Sequence, residues 1–530
     1  MRLVVVLSGA VGSGKSTVGR AIRAQTGGLV LSTRQIILER KPVDNERLLL
    51  QAAGDELDTE TDFTWICDAI EQLGDGVRDK VLVVDAVRRS EQVDRLRSRF
   101  PNQVRHVHIM VDDAVLEQRH ADRVQVLVEP ADRADVRRNS TEAGIDGLAA
   151  GADIVFDPSR LGAPAIAAVA LAGLGITRRV VAPLVDVIVG GQYGSEGKGN
   201  ICSYLAERYD VLVRVGGPNA GHRVRDPDYD FVHLPSGALH NPRATLLIGA
   251  GATLSLDVLR REIFELGIGP DRLSVDHQAI IIEPEDVEWE AGSLEVIGST
   301  KKGVGAATAR KILGRGQGGG FGPKVRLARD VAELSPFVRD VGALLEDAYA
   351  ADRRVMLEGT QGTDLSVHHG MWPHVTSRET TSSGCMADAG VPHDRVGRVV
   401  MVVRTYPIRV GGQSGYMGRE IGAETIAKRS GMSEAEIRKT EVGTVSGKPR
   451  RIAEFDLGQI RRAAAINGAN EIAITFADYL CAGNRYARRY EELSEDTREF
   501  IARVEEVTGC PVTLVACGAH RENMIERRTL

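Results

Sequence analysis

At 530 residues the chain is longer than one hydrophobic core ordinarily serves, so its length predicts two or more domains. A net charge of −6 with 26% charged residues excludes a strongly basic, polyanion-binding surface, and nucleic acid is not an expected partner. The six cysteines are scattered without a C-x-x-C pair or metal-ligand spacing, which predicts reduced thiols and a cytoplasmic setting rather than a disulfide framework or a zinc site.

The opening run Met1-Arg2-Leu3-Val4-Val5-Val6 lacks the long apolar region of a signal peptide and is read as a strand, Leu3–Leu7, rather than a targeting segment. It leads into Gly9-Ala10-Val11-Gly12-Ser13-Gly14-Lys15-Ser16-Thr17, which fits G-x-x-x-x-G-K-[ST] between a strand and a helix starting near Ser16. In such a loop Gly9, Gly12 and Gly14 let backbone N–H groups converge on phosphates, Lys15 adds charge, and Ser16 and Thr17 open the helix, with Ser16 a magnesium ligand. A second strand, Val81–Val84, ends on Asp85, the natural carboxylate for that magnesium, and a third spans Val107–Val111. Arg119 and Arg123 lie four apart on a predicted helix, so both guanidiniums share one face, as a clamp on a transferring phosphoryl group requires. A lone strand-end aspartate serves equally as a turn cap, and an arginine pair equally as a solvated basic face. The uncharged stretch Leu161–Ile176 is shorter than the roughly 20 residues a membrane span needs and contains Pro164, so it is predicted to be a packed helix closing the first domain, with no membrane as partner.

Asp85-Ala86-Val87-Arg88, the Arg119/Arg123 pair and Thr141-Glu142…Ala152-Asp153 together resemble small nucleoside-monophosphate kinases, including deoxynucleotide kinases, over residues 1–176. The resemblance implies a P-loop domain of three α/β/α layers that uses ATP, with Thr33, Arg34 and Arg88 facing the phosphate acceptor.

A short segment, 177–184, is read as a linker before the apolar strand Val185–Val189. The loop that follows, Gly191-Gln192-Tyr193-Gly194-Ser195-Glu196-Gly197-Lys198-Gly199-Asn200, is one residue too long for the first template and has no Ser or Thr after Lys198. Closely spaced glycines and a lysine at a strand-to-helix turn still make an anion site, of a different kind.

Further segments follow in order: Asn219-Ala220-Gly221-His222, His233-Leu234-Pro235-Ser236-Gly237, Gly298–Gly305, Glu358-Gly359-Thr360-Gln361-Gly362-Thr363, Pro373-His374-Val375-Thr376-Ser377 and Glu441–Arg451. With the glycine loop they resemble the adenylosuccinate synthetase family over about residues 185–525. The resemblance implies an α/β ligase domain over 185–530 with a central, mostly parallel sheet. It also implies a GTP- and magnesium-dependent C–N ligase acting on a purine nucleoside monophosphate and L-aspartate as a homodimer. On this likeness His222 is the general acid at the 6-oxygen, with Lys198 and Gln361 also catalytic and the carbonyl of Gly221 a magnesium ligand. Asn219, Thr300, Gln361 and Thr376 contact the monophosphate nucleotide, and Arg315 is the candidate for the arginine supplied by a neighbouring subunit. Gly194, Glu196, Gly197, Lys198, Gly199, Asp478 and Gly518 bind GTP, Asp478 by reading guanine's N1 and N2 donors. Val445, Ser446, Lys448 and Arg450 bind aspartate, Arg450 through its α-carboxylate.

The departures from the family pattern are chemical. Ser195 stands where the family has an aspartate that removes the N1 proton and ligates magnesium, and a hydroxyl is neither a base at neutral pH nor a strong magnesium ligand. Three readings remain open. Ser195 accommodates a 2-amino group, so the substrate is GMP or dGMP, as in the 2-aminoadenylosuccinate synthetase branch; the chain acts on IMP with another base; or it binds nucleotides without catalysis. Lys448 replaces an arginine, Val445 a threonine, and Phe476 a lysine that packs on the guanine, where an aromatic ring can stack instead.

Overall fold

The computed structural model describes residues 3–44, 46–77, 80–124, 144–159, 161, 163–175, 181–316, 322–442 and 449–527. The chain divides into two compact units, Met1–Val181 and Ala182–Leu530.

The smaller unit is built on a parallel sheet of β1 (Leu3–Gly9), β2 (Leu29–Ser32), β3 (Val81–Asp85), β4 (Val104–Ile109) and β5 (Ile154–Phe156), in the order β2-β3-β1-β4-β5. Side chains alternate across it: Val4, Val6, Leu82 and Val84 pack on one face, Val5, Leu7, Val81 and Val83 on the other, and all eight are buried. The third strand runs three residues earlier than Val107–Val111 predicts at its start, because Val104 already pairs with Val4. The expected closing helix is Ala163–Gly173, whose Ile166, Ala170 and Leu171 lie against the second face. No helix among the described residues is long and apolar enough to cross a membrane.

The larger unit follows β6 (Val185–Gly190) and β7 (Val211–Arg214) with a hairpin of β8 (His222–Arg225) and β9 (Asp228–Phe231). Then come β10 (Thr245–Ile248), β11 (Thr253–Leu254), β12 (Leu273–Asp276), β13 (Ile280–Ile281), β14 (Val338–Arg339), β15 (Val355–Glu358) and β16 (Val396–Arg404). The chain ends through β17 (Ile408–Arg409), β18 (Glu420–Ile421), β19 (Arg451–Ala453), β20 (Glu471–Thr475), β21 (Val512–Ala516) and β22 (Met524–Glu526). Ten of these form one sheet in the order β14-β12-β10-β7-β15-β6-β16-β20-β21-β22, parallel except for β22. From β6 the chain steps outward through β7, β10, β12 and β14, returns to β15, and then steps out on the other side through β16. The carboxyl end of β6 is therefore a switch point, where α/β sheets leave room for a ligand.

Both faces of this sheet are covered, so its strands are almost wholly apolar. The exceptions are informative. Asp186 on β6 is 3% exposed and accepts from Tyr209 Oη at 2.6 Å, Arg398 Nε at 2.9 Å and Arg354 Nη2 at 3.0 Å, a charge satisfied at the end of the sheet away from the site. At the opposite end, β7, β15 and β16 terminate in Arg214, Glu358 and Arg404, each 2% exposed or less.

Candidate functional site

In the smaller unit the first glycine loop turns between β1 and the helix Lys15–Thr26. Gly12 and Gly14 take φ of 85° and 96°, the left-handed region that favours glycine, and Gly14 caps the helix. Lys15 Nζ donates to the carbonyls of Gly9 and Ala10, both at 2.8 Å, so the lysine folds over the backbone that would cradle a phosphate. Ser16 is exposed at the helix start and Thr17 half-buried, while Asp85 lies across from Leu7 at the same edge of the sheet. Arg119 reaches the loop, its Nη1 donating to the carbonyl of Gly12 at 3.0 Å. Arg123 follows one turn later on the same helix, Asp113–Val124, but its side chain lies outside the described residues, as do Thr141 and Glu142. Thr33 Oγ1 donates to the carbonyl of Ala86 at 2.9 Å, fixing the backbone after Asp85.

In the larger unit the loops after β6, β7, β15 and β16 converge at the carboxyl edge. They border a cavity of about 390 Å³ whose wall includes Gly194, Ser195, Asn219, Gly221, Thr300, Gln361, Thr376 and Arg450, from six separate segments of the chain. Three of these are joined by side-chain hydrogen bonds. Arg378 Nη1 donates to Thr360 Oγ1 at 2.6 Å, Thr360 Oγ1 to Gln361 Oε1 at 2.8 Å, Gln361 Nε2 to Asn219 Oδ1 at 2.8 Å, and Asn219 Nδ2 to Thr376 Oγ1 at 3.2 Å. One guanidinium thus fixes the orientation of two amides facing the cavity. Gly194 lies flat on Gln361: a Cβ there would sit 2.9 Å from the Gln361 Cα.

Behind the wall the charged groups are buried. Glu196 Oε1 accepts the backbone N–H groups of Gln192 at 3.0 Å and Gly194 at 2.7 Å, and its Oε2 lies 2.7 Å from Lys198 Nζ. The carboxylate of Glu196 therefore holds its own loop from inside, and its side chain is not in the cavity wall. Gly197 and Gly199 complete the turn; Gly197 takes φ 84°, and a Cβ on Gly199 would meet the Cβ of His222 at 2.9 Å.

His222 gives its Nδ1 to Glu358 Oε1, which also accepts Arg214 Nη1 at 2.6 Å and Ser236 Oγ at 2.5 Å; Oε2 takes the Ser236 N–H at 2.8 Å. Arg214 Nη1, a pure donor, also stands 3.0 Å from Nδ1, but the shorter contact is to the carboxylate, which can only accept, so Nδ1 carries the proton and Nε2, buried with no partner among the described residues, the lone pair. Burial and then Arg214 hold His222 down at about 4, against Glu358, so the imidazole is neutral at pH 7. Burial pushes the Glu358 carboxyl up, but Arg214, His222 and Ser236 outweigh it and hold it down at about 2.

After β20, Asp478 is 4% exposed; its Oδ2 accepts Arg485 Nε at 3.0 Å while its Oδ1 has no partner among the described residues. Burial raises its carboxyl above the usual range, with Arg485 opposing. The Phe476 ring carries the Arg404 guanidinium at 3.8 Å over one face, so only its other face is left for a base. Gly518 follows β21, where a Cβ would meet Asn523 Oδ1 at 2.8 Å. Arg315 is exposed, donates to the carbonyl of Ile312 at 2.7 Å, and stands outside the cavity wall. Val445, Ser446 and Lys448 lie outside the described residues. Among the described residues no three His, Cys, Asp or Glu side chains cluster as a metal site; Ser195 and Gly221, both in the cavity wall, carry neutral oxygens. Such a donor set fits a magnesium whose remaining ligands are nucleotide phosphates.

Arg214, Ser236, Glu358, Arg404, Glu441 and Tyr479 were not singled out from the sequence as functional. The available signal was a charged residue closing an otherwise apolar strand, as in Val-Leu-Val-Arg214 and Val-Met-Leu-Glu358.

The family model for adenylosuccinate synthetase matches residues 187–318 and 325–485. The adenylosuccinate synthetase of Thermococcus onnurineus (strain NA1) is 35% identical over 353 residues, covering 64% of this chain and 98% of its own length. Among solved structures, the cyanophage S-2L succinoaminodeoxyadenylate synthetase (PurZ), bound to dGMP and to dATP as an energy donor, is 30% identical with a TM-score of 0.54. That likeness covers 66% of this chain and 97% of that one. The fully ligated adenylosuccinate synthetase of Plasmodium falciparum, 22% identical with a TM-score of 0.56 over 65% of this chain and all of its own, shares the fold. On the extent of the family match and the identity to these relatives, the chain belongs to the adenylosuccinate synthetase family.

Proposed function

We propose that the larger unit joins L-aspartate to C6 of a purine nucleoside monophosphate that carries a 2-amino group, GMP or dGMP, with GTP as phosphoryl donor. The observation that carries this reading is Ser195, a neutral hydroxyl in the cavity wall beside Asn219, Gln361 and Thr376. An exocyclic amine donates hydrogen bonds, and a serine oxygen accepts one without adding charge. The S-2L relative, bound to dGMP, supports the same substrate class.

In this reading Asn219 and Thr376 hold the monophosphate, Gln361 the purine edge, and Arg450 the aspartate carboxylate. Lys198 neutralises the transferring phosphoryl group by sharing its ammonium between Glu196 and the incoming phosphate. His222 is read as the general acid at the 6-oxygen: its Nε2, which carries the lone pair in the neutral ring, takes up a proton from solvent as negative charge develops on that oxygen, and the imidazolium so formed donates that proton to the 6-oxygen. Magnesium held by the Gly221 carbonyl and Ser195 hydroxyl would supply further charge neutralisation for phosphoryl transfer.

The test incubates the full chain with aspartate, GTP and GMP, dGMP or IMP and measures succino-purine by mass spectrometry. Product from GMP or dGMP is expected; a wide preference for IMP overturns the 2-amino reading, and binding without any product makes the unit a nucleotide sensor. A second reading of the donor, ATP or dATP, is favoured by Arg485. It occupies one of the two Asp478 oxygens that guanine's N1 and N2 donors would share. Comparing GTP, ATP and dATP in the same assay decides between them.

For the smaller unit the reading is a nucleoside-monophosphate kinase using ATP, with Ser16 and Asp85 on magnesium and Arg119 and Arg123 on the phosphoryl group. The exposed position of Arg315 suits a residue that completes the site of a second subunit in a homodimer; analytical ultracentrifugation that finds only monomers at assay concentration would overturn that part.

A further inference from the structure

Arg404 and Glu441 make a buried contact that no substrate role accounts for. Arg404 closes β16 and is 1% exposed; its backbone N–H donates to Gln192 Oε1 at 3.0 Å and its carbonyl accepts Gln192 Nε2 at 3.1 Å, which anchors it to the glycine loop. Its Nη1 donates to the carbonyl of Ser195 at 3.3 Å and its Nη2 to Glu441 Oε1 at 2.6 Å. Tyr479 Oη donates to the same Glu441 oxygen at 2.8 Å. Glu441, 4% exposed, turns its other oxygen to Arg450, whose Nη1 stands 3.7 Å away. The backbones are pinned as well, the Arg450 N–H donating to the carbonyl of Glu441 at 3.0 Å beside a bridge between Val442 and Pro449.

A single carboxylate thus lies between two arginines. One is fixed to the glycine loop and the other is in the cavity wall. At 3.7 Å the Glu441 carboxylate acts on the Arg450 guanidinium through charge. Tyr479 and Arg404 take Oε1 and so dictate which oxygen faces Arg450.

We propose that Glu441 is a positioning residue for the amino-acid substrate: held by Arg404 and Tyr479, it aims Arg450 at the aspartate α-carboxylate and ties that arginine to the Ser195 loop. This rests on the reading of Arg450 as the aspartate-binding arginine. It gives Arg404 and Glu441 a role in coupling two substrate sites rather than in the chemistry itself.

The test is steady-state kinetics on the full chain with GTP and dGMP, varying each substrate in turn, for Glu441→Gln, Tyr479→Phe and Arg450→Lys. Glu441→Gln is expected to raise KM for aspartate roughly ten- to a hundredfold, with KM for dGMP and GTP changed less than about threefold. Tyr479→Phe, which keeps the ring and removes one hydrogen bond, is expected to raise KM for aspartate by a smaller factor and serves if Glu441→Gln does not fold. A KM for aspartate unchanged in both, or a loss shared equally by all three substrates, overturns the proposal. Arg450→Lys separates the two failures: if it leaves KM for aspartate unchanged, the assignment of Arg450 is what fails.

Discussion

The ammonium of Lys198 lies 2.7 Å from Glu196 Oε2, and neither side chain has any exposed surface. A buried pair of this kind is strongly interdependent, because removing one partner leaves the other charged and unpaid for by solvent. Lys198→Met is expected to lose about 3–5 kcal/mol of stability along with ligase turnover. Denaturant unfolding checks the first, and Lys198→Met with Glu196→Gln together should recover part of it.

Ser195→Asp restores the residue that the family pattern carries. The expected outcome is a shift of the preference for dGMP over IMP by roughly a hundredfold toward IMP, the scale set by a mismatched polar contact in a closed site. Competition between the two monophosphates, with both succino-products quantified in one reaction, measures it.

Gly362 lies against the floor of the same loop. A Cβ there would stand 2.5 Å from the carbonyl oxygen of Gln192 and 2.5 Å from Glu196 Oε1. Gly362→Ala is therefore expected to cost about 1–3 kcal/mol and to weaken nucleotide binding together, since the two contacts are with the loop that would hold phosphate. Thermal unfolding and nucleotide titration of one preparation test both.

Acid should destabilise both units through neutral buried histidines. Burial holds His106 at about 4 in the smaller unit and His233 at about 3 in the larger, where His233 Nε2 accepts the Ser255 N–H at 3.1 Å. The unfolded chain binds these protons near pH 6.5 while the folded chain does not, so stability is full above about 6.5 and falls as pH drops toward 4 and 3. Each group contributes at most about 1.4 kcal/mol per pH unit. His233→Gln, whose amide oxygen can still accept the Ser255 N–H, is expected to flatten this slope for the larger unit in unfolding curves taken between pH 7 and 5.

Lys15→Ala is expected to reduce ATP-dependent phosphorylation of monophosphates by at least about a hundredfold while succino-purine formation stays within about twofold. Coupled assays of ADP and of succino-product on one preparation check it. Unchanged phosphorylation would place all nucleotide chemistry in the larger unit.

Much of the fold was legible because it rests on local rules. Apolar runs such as Val185–Val189 have to be strands covered on both faces, and the glycines and lysines of the two loops have to sit where a strand turns into a helix, whatever the rest of the chain does. The motifs containing Asn219, Thr300, Gln361, Thr376 and Arg450 named residues that line one cavity although up to 231 positions separate them in sequence, Asn219 to Arg450. The sequence alone also carried the chemical departure at Ser195, since a residue's identity needs no coordinates.

What only the tertiary structure decided is which charges neutralise which. Glu196 reads as a nucleotide contact in a loop motif, yet it is folded under that loop against Lys198. Glu358 sets the His222 tautomer from 136 residues away, and Arg404 joins Ser195 to Glu441 across three loops. Pairings of this kind follow from strand order at the switch beside β6, which brings the ends of β7, β15 and β16 together. Strand order is fixed by long-range packing, and no local pattern of residues encodes it.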